Sequence, residues 1–236
     1  KEFPDRHFDC GIAEANMVGV AAGMSTTGKI PFVSSFAMFL AGRAYEQIRN
    51  SVGYPHLNVK LGATHAGISV GEDGATHQCN EDIALMRAIP GMTVIVPCDD
   101  IEARQAVFAA AEIKGPVYLR FGRLAVPVIN DESYKFEVGK AVELKKGDDV
   151  TIIATGLMVS KALDAAKMLE ENKGIHARVI NIHTIKPIDK DAIIAASKET
   201  KFIVTAEEHS VIGGLYSAVT EVTSSQAPCK VIPVAV

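Results

Sequence analysis

Two histidines, two adjacent acids and four glycines fall between Gly62 and Gln78 of a 236-residue chain. The glycines are Gly62, Gly67, Gly71 and Gly74; the acids are Glu72 and Asp73; the histidines are His65 and His77. Glycine accepts positive φ and lets a backbone pass close to a ligand, so this density reads as a site-forming loop. His65, Asp73 and His77 would then face one pocket as hydrogen-bond partners and proton carriers. A solvated surface loop with two stray histidines would show the same spacing, and the residues alone leave both readings open. A metal site of His65, Asp73, His77 and Cys79 fits less well. Those spacings match no usual zinc pattern, and Cys-x-x-Cys is absent from the sequence.

A second chemical group stands upstream. Residues 11–24 are predicted to form a helix that packs closely through small side chains. Glu14 lies on its apolar stripe, with Cys10, Met17, Val18 and Ala21 at i−4, i+3, i+4 and i+7. An ionised carboxylate buried alone is costly, so Glu14 should raise its pKa, find a donor, or both. A glutamate that only reaches a backbone amide or a nearby arginine satisfies the same pattern.

The elements that must position these groups alternate between strand and helix. A strand over residues 29–36 leads into a helix over about 38–52, with Phe36 and Phe39 flanking the turn between them. Ligands of parallel sheets gather at such turns, although aromatics there are often core. A strand over 57–62 feeds the glycine-rich stretch. Asn80 is expected to cap a short helix, a strand covers 93–97, and Asp99 or Asp100 caps the next helix. A strand over 117–121 carries Arg120 near its carboxyl end, with Arg123 just beyond it, as surface cations or as a clamp for phosphate or carboxylate. Residues 128–136 turn polar and read as a linker. Strands over 149–155, 177–182, 202–206 and 231–236 then alternate with helices over 159–171, from about 188, and from Gly213-Gly214. The result is α/β, with two parallel or mostly parallel three-layer domains, 1–130 and 138–236. Glu207, Glu208 and His209 close one strand and are assigned no chemistry beyond support of the interface.

Composition narrows the class. Hydrophobic residues at 48% and charged residues at 22% are ordinary for a globular protein, and a net charge of −4 without a basic run invites no nucleic acid. The apolar runs are too short to span a bilayer, no signal peptide is visible, and the four scattered cysteines suit reduced thiols in a cytoplasm. Both ends read as cut, with structure expected beyond them.

Gly71-Glu-Asp-Gly-Ala-Thr-His-Gln78, together with Gly11-Ile-Ala-Glu14 upstream and Thr184-Ile-Lys-Pro187 before Ile188-Asp189, resembles the transketolase family of thiamine diphosphate enzymes. The resemblance runs over essentially the whole chain. It implies a pyrimidine-binding domain, lacking its first strand and helix, followed by most of the carboxy-terminal domain. It also implies roles. Glu14 would hydrogen-bond N1′ of the cofactor's aminopyrimidine and favour the imino tautomer that deprotonates the thiazolium, a task suited to a carboxyl kept protonated by burial. Phe39 would stack on the pyrimidine and Phe36 would complete the wall; the tyrosine common three residues on is Gly42 here. His65, Asp73 and His77 would hold substrate hydroxyls or a carbonyl, with the histidines assisting proton transfer. Arg123, and less directly Arg120, would take the sugar phosphate.

The family's Gly-Asp-Gly segment and following Asn, which hold Mg²⁺ and the diphosphate, do not occur in the sequence. The resemblance therefore implies the carboxy-terminal subunit of a split transketolase, active only with an N-terminal subunit and assembled as a dimer of heterodimers acting on sugar phosphates. Phe39-Leu40, Arg43-Ala-Tyr-Glu-Gln47 and Arg120-Phe-Gly-Arg123 also resemble 1-deoxyxylulose-5-phosphate synthase, though Glu72 suits the transketolase string better. A 2-oxo acid dehydrogenase β subunit should lack that string, and a non-catalytic regulatory paralogue has no reason to retain Glu14, His65, Asp73 and His77 together.

Overall fold

A computed structural model describes residues 2–236. The first half comprises α1 (Glu14–Ser25), β1 (Phe32–Phe36), α2 (Tyr45–Gln47), β2 (Lys60–Thr64), α3 (Asp82–Ala88), β3 (Thr93–Ile95), α4 (Asp100–Glu112) and β4 (Val117–Arg120). The second comprises β5 (Val142–Lys145), β6 (Val150–Ala154), α5 (Met158–Lys173), β7 (Ala177–Asn181), β8 (Thr184–Lys186), α6 (Lys190–Glu199), β9 (Ile203–Ala206), α7 (Leu215–Gln226) and β10 (Val231–Val234).

These elements form two five-stranded sheets, ordered β1-β2-β4-β3-β8 and β10-β9-β6-β7-β5. All neighbours pair in parallel except β8 on β3 and β5 on β7. Every residue of β4 and β6 is buried, as expected of parallel strands covered by helices on both faces. The fold is therefore the pair of α/β domains that the alternation predicts.

Four local expectations need correction. β5 and β8 are absent from the sequence reading, because three- or four-residue antiparallel edge strands carry too little periodicity to recognise. β8 also comes from the second half yet closes the first sheet, placing buried Ile185 in an apolar cluster shared by Leu61, Met86, Ile153 and Val219. Burial of one such side chain is worth about 2 kcal/mol, so the two halves pack as one body. The stretch expected as one helix over 38–52 holds α2 between two wide π-helical segments, Met38–Arg43 and Ile48–Gly53. Finally, Asn80 does not cap α3; Glu81 occupies that position without a side-chain cap bond. Asp99 does cap α4, accepting from the Glu102 amide at 2.8 Å, and its second oxygen takes the amides of Ile129 and Asn130 in the linker.

Candidate functional site

Glu14 is the first residue of α1 and is buried. Ser35, on β1, donates to its Oε1 at 3.1 Å, and Arg43, on the wide turn after β1, donates from Nη1 to its Oε2 at 3.0 Å. Burial pushes the carboxyl up. Its own backbone N–H, Arg43 and Ser35 together outweigh that, and the pKa lies below the ordinary glutamate value. This reverses the expectation of a carboxyl raised and kept protonated by burial. The apolar stripe was read correctly, but the cation that answers it lies 29 residues further along, beyond the reach of helical spacing.

Four rings gather at the carboxyl ends of β1 and β2, linked to this carboxyl through Arg43. Phe36 stacks on His65 with centroids 3.9 Å apart and lies 6.2 Å from Phe39. His77 stands edge-on to Phe39 at 5.1 Å and to Phe36 at 6.0 Å. All four are half-buried, so part of each ring faces solvent rather than a closed core. Arg43 lies over the Phe39 face, 4.7 Å from its centroid, completing a link from the rings to Glu14. His65 holds φ at +57°, a left-handed conformation unusual for a residue with a side chain and typical of functional sites. At Gly42, where the family's tyrosine would stand, the Met38 methyl occupies the place of a side chain.

Asp73 and Arg123 form a half-exposed ion pair, Oδ2 to Nε at 3.4 Å. Such a pair contributes little to stability and exchanges partners readily. Arg120 behaves differently. It is buried, with Nε donating to Asp82 Oδ2 at 2.8 Å and Nη2 donating to the carbonyl of Glu208 at 2.9 Å. Tyr118, two residues earlier on the same face of β4, donates to the same Asp82 oxygen at 2.8 Å. Arg120 is thus committed to the packing between the halves, while Arg123, past the end of the strand, stays exposed.

Phe36, Phe39, His65 and His77 therefore meet, Arg43 joins them to Glu14, Asp73 and Arg123 pair across neighbouring loops, and Arg120 lies in the interior. Sequence reasoning gave no role to Ser35 or Arg43, which touch Glu14, and none beyond support of the interface to Glu208, which accepts the amides of Ile68 and Ser69. Only an acid already singled out on an apolar stripe could have prompted the search for Arg43. Among the described residues, no three His, Cys, Asp or Glu side chains converge as a metal-binding set.

A family model described as the transketolase pyrimidine-binding domain matches residues 1–128, and one described as the transketolase C-terminal domain matches residues 139–234. The chain belongs to the transketolase family. A putative transketolase C-terminal section of Methanocaldococcus jannaschii is 56% identical over 95% of this chain and 71% of its own length. A 6-deoxy-6-sulfo-D-fructose transketolase subunit of a Clostridium species is 46% identical over 97% of this chain and 70% of its own. The solved structure of a split-gene transketolase, an inactive beta4 tetramer, superimposes with a TM-score of 0.93 at 56% identity, covering 99% of this chain and 76% of that one. No helix among the described residues is long and apolar enough to cross a membrane.

Proposed function

We propose that this chain is the carboxy-terminal subunit of a transketolase divided between two chains. It would move a two-carbon ketol unit from a ketose phosphate to an aldose phosphate at a thiamine diphosphate shared with the partner. The domains would divide at residues 1–130 and 138–236, and the assembly would be a dimer of heterodimers in the cytoplasm. The names of the relatives, a C-terminal section and a subunit, support a partnered chain, as does a split-gene transketolase described as an inactive beta4 tetramer.

The observation that carries the reading is the arrangement of Glu14, Arg43 and Phe39. An aminopyrimidine needs a carboxyl at its ring edge and an aromatic wall against its face. Glu14 and Phe39 supply both, and the planar guanidinium of Arg43 already makes both contacts, hydrogen-bonding Glu14 and lying over Phe39. The residues fit the pyrimidine end of the cofactor. When bound, thiamine diphosphate supplies the carbanion equivalent that accepts and releases the ketol unit.

The side chains of this chain do the rest. Glu14, released by Arg43, holds a proton at the pyrimidine edge. Phe36 and Phe39 exclude water from its face. His65 and His77 bind hydroxyl or carbonyl oxygens and carry protons as the C2–C3 bond of the donor breaks and its counterpart forms on the acceptor. Asp73 takes a donor hydroxyl, and Arg123 takes the sugar phosphate. The partner subunit would hold Mg²⁺ and the diphosphate.

Glu14→Gln tests this in the complex reconstituted with an N-terminal transketolase chain. The fold should survive by circular dichroism, because the glutamine carbonyl can accept from Arg43 while its amide donates to the Ser35 hydroxyl oxygen, whereas ketol transfer should fall at least ~100-fold. Near-normal turnover would remove Glu14 from the mechanism.

A further inference from the structure

The glycine-rich loop that carries Asp73 and His77 is closed at its base by two bonds, Gly67 N–H to the Cys79 carbonyl at 2.8 Å and Cys79 N–H to the Gly67 carbonyl at 3.0 Å. Gln78 fastens it again, donating from Nε2 to the Ile68 carbonyl at 2.9 Å. Beyond that base Val70 is buried, but the tip is open: Glu72 is exposed, and its 3₁₀ turn over Gly71–Asp73 buries no residue. Something must fix its direction relative to Phe36 and Phe39.

That something comes from the other half of the molecule. Glu208 follows β9, some 140 residues away, and its Oε1 accepts the amides of Ile68 at 2.9 Å and Ser69 at 2.6 Å. Two N–H groups on one carboxylate oxygen are charge-assisted bonds, stronger than neutral ones. The same carboxylate lies against Gly67, whose φ is +84°: a β-carbon there would meet Glu208 Oε2 at 2.6 Å and its Cδ closer still. Glycine at 67 is therefore needed twice, for its backbone conformation and for the approach of the acid. The main chain of Glu208 is fixed in turn by buried Arg120, whose Nη2 donates to its carbonyl at 2.9 Å and faces the Cys79 carbonyl at 3.4 Å. One arginine thus ties the loop base to the residue that grips the loop.

We infer that Glu208 is a positioning residue through which the C-terminal half sets the donor-binding loop. It touches neither the rings nor Glu14; it acts through the backbone of Ile68 and Ser69 on Asp73 and His77. The catalytic consequence rests on the function proposed above, whereas the clamp itself does not.

The test separates the two. Amide exchange of Ile68 and Ser69, read residue by residue in the two-chain complex, should quicken at least ~10-fold in Glu208→Ala. It should stay within about threefold of wild type in Glu208→Gln, which keeps the accepting oxygen. With xylulose 5-phosphate as the probe ketose phosphate, Glu208→Ala should raise donor KM at least ~10-fold, leave thiamine diphosphate affinity unchanged, and be rescued by Glu208→Gln. If the alanine variant does not fold, Glu208→Asp, one methylene too short to reach both amides, should give the same pattern. Unchanged exchange at Ile68 and Ser69 would overturn the clamp. Released amides with an unchanged donor KM, or a fall in thiamine diphosphate affinity instead, would overturn the positioning role. A wild-type complex without ketol transfer would remove the functional reading, and the exchange measurement would still decide the clamp.

Discussion

The ring cluster around Phe36 with its neighbours and the interior network around Arg120 are both rich in polar groups, yet they use their hydrogen bonds in opposite ways. In the first, half-buried rings, an exposed Arg43 and the loose Asp73–Arg123 pair make contacts that a ligand can replace. Around Arg120, the guanidinium, Asp82 Oδ2, Tyr118 and the Glu208 carbonyl lie in the interior and answer one another. His209 joins them as a neutral ring: burial lowers its pKa and the Arg120 charge lowers it further, while its Nδ1 pairs with the Ser210 carbonyl at 2.7 Å. The contrast teaches where function can sit. Groups whose partners are exchangeable are available for chemistry; groups whose partners are buried and fixed hold the scaffold that aims them.

Substitutions on each side should differ in kind. Arg120→Met leaves Asp82 charged and buried without its main partner, and should cost about 3–5 kcal/mol of stability in denaturant unfolding. A loss under ~1 kcal/mol would erase the contrast.

Asp99, another buried carboxylate, offers a smaller and pH-dependent effect. Burial pushes its pKa up, but the N–H groups of Asn130, Glu102 and Ile129 together bring it below the ordinary value. Its contribution is therefore complete above the unfolded carboxylate pKa of about 4 and is lost as pH falls through the lower folded value. Asp99→Asn should cost about 1–2 kcal/mol near neutral pH, with the gap to wild type closing as acid protonates Asp99. A gap that persists unchanged into acid would mean the charge is immaterial.

Arg123→Gln should barely move stability, within about 0.5 kcal/mol, because its ion pair is half-exposed. It should nonetheless raise KM for a phosphorylated donor about tenfold, read in the reconstituted complex. Destabilisation comparable to that of Arg120→Met would show that the two arginines are not different in kind.

Much of this arrangement was legible in the sequence. Glu14 declared itself as an acid on an apolar stripe, and the glycine-rich loop declared itself by composition. The buried strands β4 and β6 were visible as apolar runs bounded by turn residues. What escaped depends on distant contacts. Nothing local tells that Arg43 answers Glu14, that β8 crosses to the first sheet, or that Glu208 grips Ile68 and Ser69. Arg120 was misplaced for a simpler reason. Position at the end of a strand says nothing of face, and Arg120, the last residue of β4, shares the inward face of Tyr118, whereas Arg123 has left the strand altogether.

The central claim is that this chain holds only the pyrimidine half of a shared cofactor site. Calorimetric titration of thiamine diphosphate with Mg²⁺, into this chain alone and into its complex with an N-terminal transketolase chain, tests it most directly. Binding should be weak or undetectable to the chain alone and tight and metal-dependent to the complex. Tight, metal-dependent binding by this chain alone would contradict it.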